Sequence, residues 1–245
     1  MTTPPTDARK TVINNFITGA KTAGIWSKMD AVYVLAAADQ QAALLNWIAD
    51  TNNATAENSP SFVADSGFKS NGTSSWVNSH FNPYQDSVNF SRVSATVAVY
   101  CVTSVAAGSS VDVSGIDLGA EYADIYICTF DAASRIAGTL LKNSPYGAYV
   151  TVSSATVLTV FSINATTVNF YKNGTGVGSE TYAPSAMPNV NVGIGCINYW
   201  NNTQGDFSPR RISFVAFGSL LSATEQAALN TLVEAYMDAV GCGQP

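Results

Sequence analysis

Charge is scarce in this chain: Asp, Glu, Lys and Arg make up only 11% of its 245 residues, and there is a single histidine. Its solubility therefore rests largely on neutral Ser, Thr and Asn. Eleven Lys and Arg against 17 Asp and Glu leave a formal charge of -6, which opposes binding to a phosphate backbone and argues against a nucleic-acid partner. The lone His80 and the lack of a glycine-x-serine-x-glycine turn leave no base and nucleophile pair to assemble. One histidine also falls short of the roughly four ligands of a structural zinc site; His80 reads as a loop hydrogen-bonding residue. The four cysteines, Cys101, Cys128, Cys196 and Cys242, have no metal-ligand spacing. Cys101 and Cys128 read as small buried hydrophobes, with a disulfide as the alternative, and Cys242 between two glycines reads as exposed. No apolar run reaches the roughly 20 residues of a membrane span, so no membrane partner is expected. The start, MTTPPTDARK, lacks the cationic and apolar segments of a signal peptide, so synthesis in a cytoplasm is expected.

What is present changes character near residue 60. Pro4 and Pro5 predict an extended arm. Thr6 or Asp7 can then cap a helix carrying Val12, Ile13, Phe16, Ile17 and Ala20 at helical spacing, broken at Gly24. Ser27 and Asp30 stand at capping-box spacing before MDAVYVLAAADQ, and Asp39 can cap a further short helix with Ala42, Ala43 and Trp47. Residues 1–58 are thus predicted to be an arm and a helical preamble.

From residue 59 short strands alternate with turn signals. VSATVAVYCV places Val93, Ala95, Val97, Val99 and Cys101 on one face, and its other face is also largely apolar, which predicts a central strand. YADIYICTF, GAYVTVSS, TVLTVFSI, NFYK before the Asn173-Gly174 turn, NVNVGIGCIN and RISFVAF follow at strand length. In NVNVGIGCIN, Gly193 and Gly195 share a face that another backbone or a ring could approach closely. The last strand ends at Gly218, and Ser222 with Glu225 forms a capping box for a helix over 222–240. That helix is striped by Leu229, Leu232, Val233, Tyr236, Met237 and Val240. The pattern predicts a mainly β protein: an antiparallel β-sandwich over 59–245 closed by a helix, preceded by the helical region.

NFYKNG with Tyr171, Asn173 and Gly174, the strand Phe214 to Phe217, and the phrase Leu221, Ser222, Glu225 together resemble the second half of concanavalin A-like, laminin G-like jelly rolls. The segment TAGIWSKMDAVYVLAAADQQAALLNWIAD and the stretch from Ser61 to Pro83 are similar to segments of virion proteins of tailed bacteriophages. This resemblance implies a noncatalytic structural protein of a virion, in the capsid, tail or fibre, whose partners are other virion proteins and further copies of itself. The arm, the Trp26 to Trp47 region and the last helix would be the contact elements.

Three site chemistries remain to be weighed. Glu121 and Asp124 are the candidate acid pair of a glycoside hydrolase, but three positions apart they point to opposite faces of a strand, so no catalysis is expected. Asp124 reads instead as an edge or loop residue. Asp112, Asp117, Asp124 and Asp206 could offer calcium some oxygens, without forming a recognisable ligand series; no cofactor is expected. The alternative function is carbohydrate recognition, as a module for attachment to a host-surface glycan: Trp76, Tyr84, Tyr199 and Trp200 lie in Asn-rich, loop-like segments. There a ring can stack on a sugar while Asn201, Asn202 or Asp206 bonds its hydroxyls.

Overall fold

A computed structural model describes residues 4–103, 110–119, 122–129, 131, 133–142, 147–152 and 158–244. Its strands are β1 Met29–Val34, β2 Thr55–Glu57, β3 Ser61–Val63, β4 Gly67–Lys69, β5 Trp76–Asn78, β6 Ser94–Cys101, β7 Val113–Asp117, β8 Ala123–Cys128, β9 Arg135–Leu140 and β10 Ala148–Thr151. After these come β11 Leu158–Asn164, β12 Thr167–Lys172, β13 Thr175–Thr181, β14 Gly193–Ile194, β15 Ile197–Asn198, β16 Gln204–Gly205 and β17 Arg211–Gly218. The helices are α1 Asp7–Thr22, the one-turn α2 Gln40–Ala43 and α3 Pro83–Asp86, and α4 Ala223–Val240.

Two antiparallel sheets face each other. The first runs β13-β12-β11-β6-β17-β4-β3, with β1 also on β17; the second runs β10-β9-β8-β7-β14-β5-β2. Between them lies a core that joins Val97, Val99, Phe161, Val215 and Phe217 of the first sheet to Val113, Ile125, Ile127, Ile136 and Leu140 of the second. This is the mainly β sandwich of jelly-roll type, with a helix near each end of the chain, that the alternation predicts.

A third layer explains why β6 and β17 are apolar on both faces. Ala98, Tyr100, Val160, Phe214 and Ala216, on the outer face of the first sheet, are covered by α1 and α4. Phe16 of α1 packs edge-on against Trp47, Phe214 and Tyr236, with ring centroids 5.8, 6.0 and 6.2 Å apart. Burying one such ring contributes about 1.5–3 kcal/mol, enough to hold a short helix that would be marginal alone. The elements expected to reach other subunits are therefore packed on one another within this chain.

Both long helices are capped as the sequence predicts. The Thr6 hydroxyl accepts the Arg9 N–H, Ser222 and Glu225 make a reciprocal capping box, and Gly241 closes α4 in the left-handed region. The segment after Ser27 is different: it is a strand. MDAVYV pairs along β17, from Met29 opposite Gly218 to Val34 opposite Phe214. Asp30 caps nothing helical; its carboxylate accepts the backbone N–H groups of Asn89 and Phe90. Strands β1 and β2 thus place part of the first 58 residues within the two sheets.

Candidate functional site

Among the described residues no helix of more than one turn covers the outside of the second sheet. Its outward side chains are those that alternate with the core positions: Ser114 and Ile116 on β7, Asp124 and Tyr126 on β8, Arg135, Ala137 and Thr139 on β9, Tyr149 and Thr151 on β10. The register sets Tyr149 opposite Ala137, Tyr126 opposite Thr139 and Ser114, and Asp124 opposite Ile116. Tyr149 and Tyr126 stand two strands apart and two residues out of register, about 12 Å on the diagonal, across Ala137 and Thr139 of β9.

The hairpin of β15 and β16 lies over β7. Tyr199 bridges to Ile116, the Trp200 N–H donates to the Ile116 carbonyl at 2.8 Å, and Tyr199, Tyr122 and Tyr126 pack around Val111, Ile116 and Ile197. Gly193 makes this possible. A methyl group there would sit 3.0 Å from the Cys196 sulfur and 3.1 Å from Asn198 Cβ, so the predicted close approach is made by the chain's own hairpin.

Tyr149 is 62% exposed and Trp200 54%. The Arg135 guanidinium stacks on the Tyr149 ring, 4.3 Å from its centroid. It is held there by Asp131, whose Oδ2 accepts Arg135 Nε at 2.7 Å while its Oδ1 accepts the Arg135 backbone N–H at 3.0 Å. Desolvation alone would raise the Asp131 carboxyl; the Arg135 guanidinium and backbone N–H groups outweigh it and hold the pKa low. Tyr126 is pushed up to about 12, first by burial and then by neighbouring negative charge that includes Asp206. Tyr199 is raised by burial and by Asp206. Asp206 is itself exposed and stands beside both phenols.

Asp124 lies beneath this face, 1% exposed. Burial raises its carboxyl to about 7, against the opposing pull of hydrogen bonds from the Thr139 hydroxyl, the Lys142 N–H and Tyr122. It is neither an edge nor a loop residue. Its expected companion Glu121 lies outside the described residues.

The other anticipated site residues divide. Tyr199, Trp200, Asn201, Asn202 and Asp206 come together on the hairpin. Asn201 Oδ1 is engaged by the Thr203 N–H and hydroxyl, and Asn202 occupies the turn at φ 58°. Trp76 does not join them: it lies in β5 and is 7% exposed, a buried strand residue and not a platform in a loop. Tyr84 is 63% exposed but belongs to α3. His80 shares a hydrogen bond with the Thr55 hydroxyl at 2.8 Å, a loop role. Of the calcium candidates, Asp112 is wholly buried against Arg210, and Asp117 accepts the Gly119 and Asn189 N–H groups. Among the described residues no three His, Cys, Asp or Glu side chains converge to hold a metal. None of the four cysteines forms a disulfide among the described residues; Cys242 is half-buried, its thiol 3.5 Å from the Met237 sulfur, and not exposed. Tyr122, Tyr126, Arg135 and Tyr149 were not anticipated, although Tyr122, Asp124 and Tyr126 alternate in YADIYI.

Comparison with known proteins places the fold. No protein-family model and no curated protein sequence matches the chain. Two structures of Trypanosoma rangeli sialidase match it structurally. A mutant displaying trans-sialidase activity matches at TM-score 0.55 and 14% identity, over 97% of this chain and 38% of the sialidase. The enzyme with 2,3-difluorosialic acid matches at TM-score 0.53 and 11% identity, over 96% and 40%. This chain therefore spans about two fifths of the sialidase. A Ruminococcus gnavus IT-sialidase CBM40 bound to α2,3-sialyllactose matches at TM-score 0.45 and 13% identity, over 57% of this chain and 83% of that one. At these identities the sialidase likeness is one of fold. It is a likeness to glycan-active proteins and not to virion proteins. It overturns the expectation of a tailed-phage structural protein, and with it the virion partners, the virion location and the noncatalytic reading.

Proposed function

We propose that the chain is a carbohydrate-binding domain whose site is the outer face of the second sheet together with the β15–β16 hairpin. The observation that carries the reading is the contrast between the two outer faces. Helices bury one, while the other displays Tyr149 and Trp200 more than half exposed, beside Tyr126, Tyr199 and Asp206. Exposed rings offer a flat apolar surface to the C–H face of a sugar, and short polar groups between them can fix its hydroxyls. Tyr149 and Tyr126 flank a diagonal of about 12 Å across β9, room for one sugar ring. Binding of the purified chain to a glycan array, followed by calorimetry on the best ligand, tests this. Tyr149→Ala and Trp200→Ala are expected to weaken binding while leaving the circular dichroism spectrum unchanged. Wild-type protein that binds no glycan at all ends the reading.

A second reading, glycoside hydrolysis, has one candidate acid: Asp124, enclosed beneath the face by Thr139, Tyr122 and Lys142, where burial raises its carboxyl to about 7, in the range for donating a proton near neutrality. Release of nitrophenol from a panel of nitrophenyl glycosides, abolished in Asp124→Asn, would support it; an inert wild type would remove it.

A further inference from the structure

Which glycans such a face accepts is governed by its charges, and those can be counted in full. All eleven Lys and Arg residues fall among the described ones. On the seven strands of the second sheet and on the β15–β16 hairpin, the only one is Arg135. Lys142, just after β9, is paired with Glu180 at 2.8 Å; Arg210 is buried against Asp112. Arg9 and Lys28 pair with Asp65 and Glu225 on the helical side of the molecule.

Arg135 is itself committed. Its Nη2 and Nε both reach Asp131 Oδ2, at 2.6 and 2.7 Å, and its plane lies on Tyr149. The Asp131 carboxylate offsets the guanidinium charge and takes its Nε and one Nη2 donor. What remains is negative: Asp206 is exposed at the end of the hairpin and its charge acts on Tyr126 and Tyr199. A carboxylate or sulfate brought onto these rings would meet a like charge and no available cation. Hydroxyl groups, in contrast, find acceptors in the exposed Asp206 carboxylate and Thr151 hydroxyl.

We infer that this face selects uncharged oligosaccharides and discriminates against glycans bearing sialic acid or sulfate. The inference rests on the carbohydrate-binding reading and names the ligand class for the same site. It also parts this chain from the sialic acid ligands of the proteins that its fold resembles, because here the ligand's charge must be matched by this chain's own side chains.

The test is a set of matched oligosaccharides that differ only in a terminal sialic acid, such as lactose and sialyllactose, extended to whichever neutral cores the array retains. Affinities are measured at low ionic strength, where screening is least. The uncharged member of each bound pair is expected to bind at least about tenfold more tightly. Asp206→Asn, which keeps a side chain suited to the residue's φ of 47°, should narrow that gap, and raised salt should narrow it in the wild type. Sialylated members bound as tightly as their neutral partners, or more tightly, would overturn the inference while leaving the carbohydrate reading intact. Failure to bind any member of any pair would remove both.

Discussion

Arg210 Nη1 stands 3.0 Å from each carboxylate oxygen of Asp112, and neither side chain has any solvent exposure. Arg210 directly precedes β17 and Asp112 directly precedes β7, so the pair ties the two sheets together at one end of the sandwich. Ser110 and Ser208 hydroxyls and the Thr129 N–H and hydroxyl complete the network, and the Cys128 sulfur accepts from Arg210 Nη2 at 3.7 Å. Burial works to lower the Arg210 pKa, but the Asp112 charge outweighs it and raises the value.

Removing one partner strands a buried charge, which costs far more than removing both. Arg210→Met is expected to lower the unfolding free energy by about 3–5 kcal/mol in urea titrations. The double variant Arg210→Met with Asp112→Ala should recover a substantial part of that loss. A double variant as unstable as the sum of the two single changes would refute this account of the pair.

Asp124 makes stability fall as pH rises. Its folded pKa of about 7 exceeds the ordinary carboxylate value, so between about pH 4 and pH 7 the unfolded chain has released a proton that the folded chain keeps. In that window each pH unit removes about 1.4 kcal/mol, and above pH 7 the loss is complete. Asp124→Asn should flatten the slope of stability between pH 4.5 and 7, by about 3 kcal/mol across the window, as read by chemical denaturation at several pH values. An unchanged slope would mean that Asp124 is ionised throughout.

The two tryptophans of the Asn-rich segments should separate cleanly. Trp200→Ala, at 54% exposure, is expected to shift stability by no more than about 0.5 kcal/mol and to weaken glycan binding. Trp76→Ala, at 7% exposure, is expected to cost about 3–5 kcal/mol in stability. Thermal melts of both variants beside one binding titration decide the matter.

Gly218 ends β17 because nothing larger fits. A Cβ there would lie 2.3 Å from the Lys28 carbonyl oxygen, at the point where β1 begins to pair. Gly218→Ala should lose about 1–3 kcal/mol, while Gly176→Ala, whose nearest neighbour is the Tyr171 ring at 3.7 Å, should be close to neutral. Melting temperatures of the two variants provide the comparison.

The architecture was legible where local pattern and tertiary need agree. β6 announced itself through an apolar alternation filled on both faces, and the three-layer arrangement is the reason. Ser222, Glu225 and Gly241 marked α4 because caps are local chemistry. β1 was misread because Ser27 and Asp30 mimic a capping box, whereas its state is decided by pairing with β17, almost two hundred residues away. The site was half legible. Aromatic and Asn residues clustered in INYWNNTQGD drew notice to the hairpin. Tyr126, Arg135 and Tyr149, by contrast, are ordinary outward strand positions, and no sequence period says which sheet the helices will leave bare. Trp76 was misplaced for the converse reason: a three-residue strand among Asn and Ser has too few positions to display its alternation.

The helices that shield the first sheet also carry the two described extremes of the chain, Pro4 beside Trp47 and Tyr236, and Gln244 just beyond Met237 and Cys242. Both described ends therefore lie on the helical side, away from Tyr126, Tyr149 and Tyr199. A tether attached at either end, whether a fused neighbour or a bead, would leave the proposed binding face turned outward and unobstructed.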